Sequence, residues 1–243
     1  ETEVVRNGYS SLPKTLSLEA YKALLSNTQS IGRIYCISIF VTVAGTISSV
    51  IIMAMYAYPI SRRSFRYRKF FTFFIFFTML FGGGMVPWYI ICTQVLHLKN
   101  TIWGLIVPYL FNSFYVIVLK TFFKSTINES IIESAKLDGA SELRIFRAIV
   151  MPLSLPALAS IGLFTSINYW NDWWLSTILQ NDTTWINLQY AMYRVLINAA
   201  YLSQLGGNAG MAMCTFAMGP IILAYPFFQK YFVKGLTVGS IKG

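Results

Sequence analysis

Apolar residues gather along this chain in long runs, parted by short polar segments that hold most of the charge. A helix crossing the hydrocarbon core of a bilayer needs about 20 mostly apolar residues. Five windows meet that requirement: Ile34 to Ile60, Phe70 to Leu96, Ile102 to Phe123, Pro152 to Leu179, and Ala209 to Gln229. The pattern predicts an all-α membrane protein with five visible transmembrane helices. Gly82, Gly83, Gly84 and Pro87 interrupt the second window, and Pro108, Gly162, Gly219, Pro220 and Pro226 interrupt others. Such residues permit close packing, a kink, or a broken segment lining a cavity. The sequence leaves that choice open.

The segments between windows alternate sides. Ser61 to Lys69, Lys120 to Met151 and Lys230 to Gly243 fall on one side and carry 13 of the 19 lysines and arginines. Glu1 to Arg33, His97 to Thr101 and Gln180 to Asn208 fall on the other. Cytoplasmic loops of membrane proteins carry the excess of basic residues, so the first set is expected inside the cell. The expected layout is an extracellular segment over residues 1–33, a transmembrane permease region over 34–229 and a cytoplasmic tail over 230–243. Within the middle region lie a cytoplasmic loop over 124–151 and an extracellular loop over 180–208.

Composition agrees. Only 12% of the 243 residues are charged, half the share of a usual soluble domain, and the mean hydropathy is +0.56. The net charge of +10 is spread through the interhelical segments and forms no single patch, which speaks against nucleic acid as a partner. Cys36, Cys92 and Cys214 each lie within an apolar run. With His97 the lone histidine, neither a disulfide framework nor a metal site is indicated. The chain opens on Glu1, and no signal peptide is visible.

One polar segment is too ordered to be a simple connection. From Glu133 to Ala159 it reads ESAKLDGASELRIFRAIVMPLSLPALA. Thr126 with Glu129, and Ser130 with Glu133, stand three apart, the spacing of a capping box that starts a helix. Gly139 is a natural stop, because glycine adopts the left-handed C′ conformation freely. Ser141 is placed to cap a second helix whose Leu143, Phe146 and Ile149 share one face. Pro152 and Pro156 then mark the entry into the next span. The element is helix, glycine turn, helix, suited to lying in a partner's groove. The alternative is an amphipathic hairpin lying on lipid headgroups.

This segment resembles the "EAA" cytoplasmic loop of ABC-importer permease subunits, roughly E-A-A-x-x-D-G-A, an apolar helix, then P-x-x-x-P. Glu133, Ala135, Asp138, Gly139, Ala140, Phe146, Pro152 and Pro156 match it. Ser134 departs from it, and Asn128 stands where many relatives carry proline. The resemblance implies a type I importer permease fold with six helices in the intact subunit, the first of them preceding Glu1. It also implies docking of Glu133, Ala135, Asp138, Gly139 and Ala140 into a cleft of a cytoplasmic ATPase.

Energy must then come from a partner. No G-x-x-x-x-G-K-[ST] loop occurs, since GGGMVP at Gly82 lacks the lysine. Asp172 is the only carboxylate within an apolar window, whereas ion-coupled carriers rely on intramembrane acids or histidines. No His-plus-nucleophile set or carboxylate pair suggests catalysis, so the chain is not expected to be an enzyme and holds no cofactor of its own. ATP and Mg²⁺ belong to the partner ATPase. A secondary carrier or channel is the alternative, and its marks, lining ionisable groups or an inverted repeat, are not seen.

Ile167 to Trp174, INYWNDWW, clusters aromatic and amide groups at the expected outer end of a span. Aromatic faces stack on the C–H faces of sugars, so Tyr169, Trp170, Asn171 and Asp172 are candidates for the solute route. An interfacial aromatic belt is the competing reading. The string Y-W-N-D-W-W, the N-terminal SLEAYKALLSN and the tail YPFFQKYFVKGLTVGSIKG are similar to those of carbohydrate-importer permeases of the maltose, MalG-like, type. That resemblance implies an oligosaccharide solute and a plasma-membrane assembly. The other members would be a second permease subunit, two copies of the ATPase and an extracellular sugar-binding lipoprotein. Trp185, Tyr190, Tyr193 and Arg194, in the long outer loop, are the candidate contacts to that binding protein. A permease for another solute remains the alternative.

Overall fold

The computed structural model describes residues 28–197, all helical or irregular. The fifth window and the tail therefore lie outside the described residues, as do the N-terminal segment to residue 27 and the loop beyond residue 197. Helix α1 (Thr28–Ser61) is 34 residues of nearly unbroken apolar sequence, about 51 Å at 1.5 Å per residue. Being apolar all round, it belongs inside protein or lipid. Among the described residues it alone is long and apolar enough to cross a membrane, and up to four spans result if each of three bent pairs counts as one.

Those bends decide, for the second, third and fourth windows, between the packed, kinked and broken forms that the sequence leaves open. Helix α2 (Arg68–Leu80) ends at Phe81 in extended backbone, and α3 (Met85–Ile90), continued by a π-turn over Ile91–Val95, departs at 112°. Gly84 has φ +84°, left-handed backbone that disfavours any side chain. The third window opens with two 3₁₀ turns, Ile102–Leu105 and Val107–Tyr109. It then turns 51° into α4 (Ser113–Thr126), whose N-cap Asn112 accepts from the Tyr115 amide at 3.2 Å. In the fourth, Ser154 separates Glu142–Leu153 from α8 (Leu155–Asn171) at 81°. Pro152 and Pro156 sit in first helical turns there, where a missing N–H is harmless.

The helix pair before that bend is α5 (Glu129–Leu137) and α6 (Glu142–Ile145), followed by a π-turn (Phe146–Val150) and α7 (Met151–Leu153). Short helices α9 (Trp174–Leu179) and α10 (Leu188–Ile197) close the described chain. The expected outer loop over 180–208 thus contains a helix.

Helices α1 and α8 pack most extensively, with α4 on another side of α1. Close approach needs Gly45: a Cβ there would lie 2.6 Å from the Tyr169 ring. Two apolar cores divide the bundle along α1. The first, at the end bearing α5 and α6, joins Met53, Ala57 and Ile60 to Leu119, Phe123, Ile132, Ile145 and Val150. The second, at the opposite end, joins Ile37 and Val41 to Leu105, Ile106, Tyr169, Leu175 and Leu179.

Candidate functional site

At the first end, α5 starts and stops by local hydrogen bonds. The expected capping boxes do not form. Thr126 still belongs to α4, and Asn128 takes the N-cap, its side chain accepting from the Ser130 amide at 3.3 Å. The C-terminus is a Schellman turn. The Ala140 amide donates to the Ala135 carbonyl at 2.9 Å, and the Gly139 amide to the Lys136 carbonyl at 3.0 Å. Gly139 supplies the left-handed residue, φ +77°, with open space around it. Its glycine is required by backbone conformation and not by crowding. Ala135 and Ala140, the two ends of the turn, both rest against the first core.

Beyond the turn, the Ser141 hydroxyl accepts from the Arg144 amide at 3.4 Å and starts α6. The π-turn that follows shifts the buried stripe to Ile145, Phe146 and Val150, while Leu143 is left exposed. Of the face read at helical period, Phe146 is buried and Ile149 rests against the first core, while Leu143 alone turns away.

Two anchors tie this helix pair to the end of α1. Glu129, in the first turn of α5, faces Arg62 at 3.4 Å and Arg63 at 3.9 Å. Glu142 receives the Tyr58 hydroxyl at 2.8 Å and the Lys136 ammonium at 2.5 Å. Lys136 and Glu142 are largely exposed, and such pairs contribute about 0–1 kcal/mol. The Tyr58 bond to a carboxylate contributes about 1.5–3 kcal/mol and is the stronger tie. Tyr58 and Glu142 lie 84 residues apart, so no sequence signal could have joined them.

The tip between these anchors faces outward. Leu137 is 88% exposed. Glu133 and Asp138 are exposed as well, and neither side chain forms an ion pair or hydrogen bond among the described residues. The arrangement is a rigid, capped turn presenting one apolar side chain between two carboxylates.

At the opposite end, three of the four candidates for the solute route are engaged within the fold. The Tyr169 hydroxyl donates to the Ile106 carbonyl at 2.8 Å and lies 3.1 Å from Ser49 Oγ. Trp170 is buried with Leu188. Asp172, 8% exposed, accepts from the Tyr109 hydroxyl at 2.9 Å and from the Leu175 amide at 3.4 Å, in the first turn of α9. Its carbonyl accepts from the Asn187 amide group, whose oxygen in turn accepts from Ser176 and from the Tyr190 amide. Asn171 alone is exposed.

Of the outer-loop candidates, Tyr190 and Tyr193 stack on α10, and Tyr193 stacks on Trp173 with centroids 4.4 Å apart. Arg194 lies over the Tyr190 ring at 5.9 Å. Trp185 belongs to a different grouping, packed on the second core beneath Arg33. Trp173, which joins the aromatic ladder, was not among the candidates for this contact. Its place in INYWNDWW was the available signal.

Over residues 44–238 the chain matches the family described as the binding-protein-dependent transport system inner membrane component. It is 39% identical to the polygalacturonan/rhamnogalacturonan transport system permease protein YtcP of Bacillus subtilis, over 99% of this chain and 87% of that protein. It is 36% identical to protein LplC of the same organism, over 100% of this chain and 85% of that one. Among solved structures it resembles a bacterial ABC transporter involved in import of the acidic polysaccharide alginate. That match has a TM-score of 0.84 and 31% identity, covering 94% of this chain and 85% of the other. The chain belongs to this family: it is a membrane-embedded, non-catalytic permease component of a binding-protein-dependent ABC transport system.

Proposed function

We propose that this chain is one of two transmembrane permease subunits of an ATP-driven oligosaccharide importer in the bacterial plasma membrane. In this reading it forms half of the translocation pathway with a second, similar but non-identical permease subunit. Two cytoplasmic ATPases bind ATP and Mg²⁺, and an extracellular sugar-binding lipoprotein delivers the solute. The sugar assignment draws on the names of its relatives, which include arabinooligosaccharide permeases 27% identical to it as well as the polygalacturonan/rhamnogalacturonan permease.

One observation carries the coupling part of this reading: the exposed tip at Leu137, held rigid by the Gly139 turn and tied to α1 through Tyr58. A helix end fixed at its base and bare at its tip transmits rigid-body motion from a partner's groove. Closure of the ATPases would press on α5, and the Glu142–Tyr58 and Glu129–Arg62 contacts would pass the displacement to α1. Glu133, Ala135, Asp138, Gly139 and Ala140 compose the docking element, the first with Asp138 as charge contacts and the rest as the turn that shapes it.

The test is uptake of labelled neutral and uronic-acid oligosaccharides by the reconstituted complex, with Glu133→Lys and Leu137→Asp alongside wild type. Saturable, ATP-dependent uptake of an oligosaccharide is expected, with transport lost and membrane insertion kept in both variants. Wild-type coupling of hydrolysis to uptake in both would remove the docking assignment. Uptake of no sugar, with transport of another solute class, would remove the oligosaccharide one.

A further inference from the structure

A groove of about 840 Å³ opens between α2 and α4, beside the end of α1. On α2 it is lined by Arg68, Lys69, Thr72, Phe73 and Phe76, and on α4 by Ile117, Lys120 and Lys124. Each set follows the helical period, so one face of each helix builds the groove. Cations occupy one part and apolar side chains the other.

Charge in this groove is one-sided. No acidic residue lines it, and Arg68, Lys69, Lys120 and Lys124 form no ion pair among the described residues. The nearby carboxylate of Glu129 is already taken by Arg62 and Arg63. Lys120 is the telling member. It lies six residues before the end of α4, about 9 Å along the axis, within a helix otherwise apolar at that level. Its ammonium donates to Thr72 Oγ1 at 3.1 Å, which leaves two of three donors for the groove. A cation at membrane depth calls for an anionic or carbonyl partner.

We propose that this groove binds the phosphate headgroup of an anionic phospholipid, with the acyl chains lying along Phe73 and Phe76. An amphiphile satisfies both parts of the lining at once, whereas a free sugar acid would leave the apolar part uncovered. The rings continue into the exposed apolar face of α2, where Phe70, Phe73 and Phe74 are each more than half exposed. Basic pockets between spanning helices are a known form of anionic-lipid site. The proposal does not depend on which solute is carried.

Native mass spectrometry of the delipidated, assembled importer, titrated with dioleoyl phosphatidylglycerol or dioleoyl phosphatidylcholine, tests it. Wild type should retain phosphatidylglycerol preferentially, and rising salt should erode that preference. Lys120→Gln and Arg68→Gln should each weaken it by on the order of fivefold per charge, while Lys120→Arg should keep it. Arg144→Gln, a cation outside the groove, should leave it unchanged. Equal retention of the two lipids by wild type, or a preference insensitive to salt, overturns the proposal even where a variant fails to assemble. Displacement of the lipid by trigalacturonate also overturns it, by assigning the groove to the solute.

Discussion

Asp172 stands where a helix ends, and its carboxylate is engaged by the Tyr109 hydroxyl and the Leu175 amide. A buried carboxylate stripped of these donors would be strongly unfavourable, so its first role is to hold the third and fourth windows together. Tyr109→Phe should destabilise the assembled complex by about 1–3 kcal/mol, the usual loss on leaving a buried group unsatisfied. Asp172→Asn should cost less, because an amide oxygen still accepts both bonds. In both variants transport per assembled complex should stay near wild type. Thermal unfolding in detergent, with uptake normalised to complex, checks this; a normalised uptake that falls while stability holds would return Asp172 to the solute route.

The helix pair α5 and α6 shows how little sequence is needed to build an element and how much is needed to aim it. Gly139 at φ +77° is the one position in the turn that requires glycine. A left-handed β-branched residue is strained by about 1–3 kcal/mol, and Gly139→Val should loosen the tip without touching the core. Tyr58→Phe leaves the turn intact and removes the stronger of its two ties to the end of α1. Gly139→Val is expected to reduce ATPase co-purification, whereas Tyr58→Phe should keep the ATPases bound but lower uptake per ATP hydrolysed. Equal effects of the two on binding would show that tip and tie are not separable. Opposite the tip, the π-turn over Phe146–Val150 adds a residue to one turn and rotates the packed face.

Across the whole molecule the two ends are built differently. One offers a bare, charged tip, and the other a lattice of side-chain bonds that joins Leu188 to Ser38, Asn181 to Asn100 and Gln180 to Thr101. On that far end, Trp173, Tyr190 and Tyr193 form a stacked ladder with Trp173 41% exposed, a surface suited to a protein partner because rigid aromatics bury much area at low entropic cost. Replacing Trp173, Tyr190 and Tyr193 with alanine should weaken stimulation of ATP hydrolysis by loaded binding protein while basal hydrolysis persists. Trp185→Ala should instead lower stability, since that ring packs on the second core. A binding-protein titration with unchanged stimulation in the triple variant would discount the ladder as the contact.

Much of this organisation is legible in the sequence itself. Apolar runs long enough for lipid, basic residues gathered in alternate segments, and the D-G-A turn are local properties, and each is set by transfer energy or backbone freedom within a few residues. Gly139 as a C′ residue and Ser141 as a cap were legible for that reason. The bends of 112°, 51° and 81° were not, because Gly82 to Gly84 and Pro108 permit either a kink or a straight span, and packing against α1 selects between them. Nor was the use of Tyr169 and Asp172. Hydrogen-bonding side chains at a helix end serve a solute or the fold equally well in one dimension. Only the approach of Ser49, Ile106 and Tyr109, each at least 60 residues away in sequence, binds them to the fold.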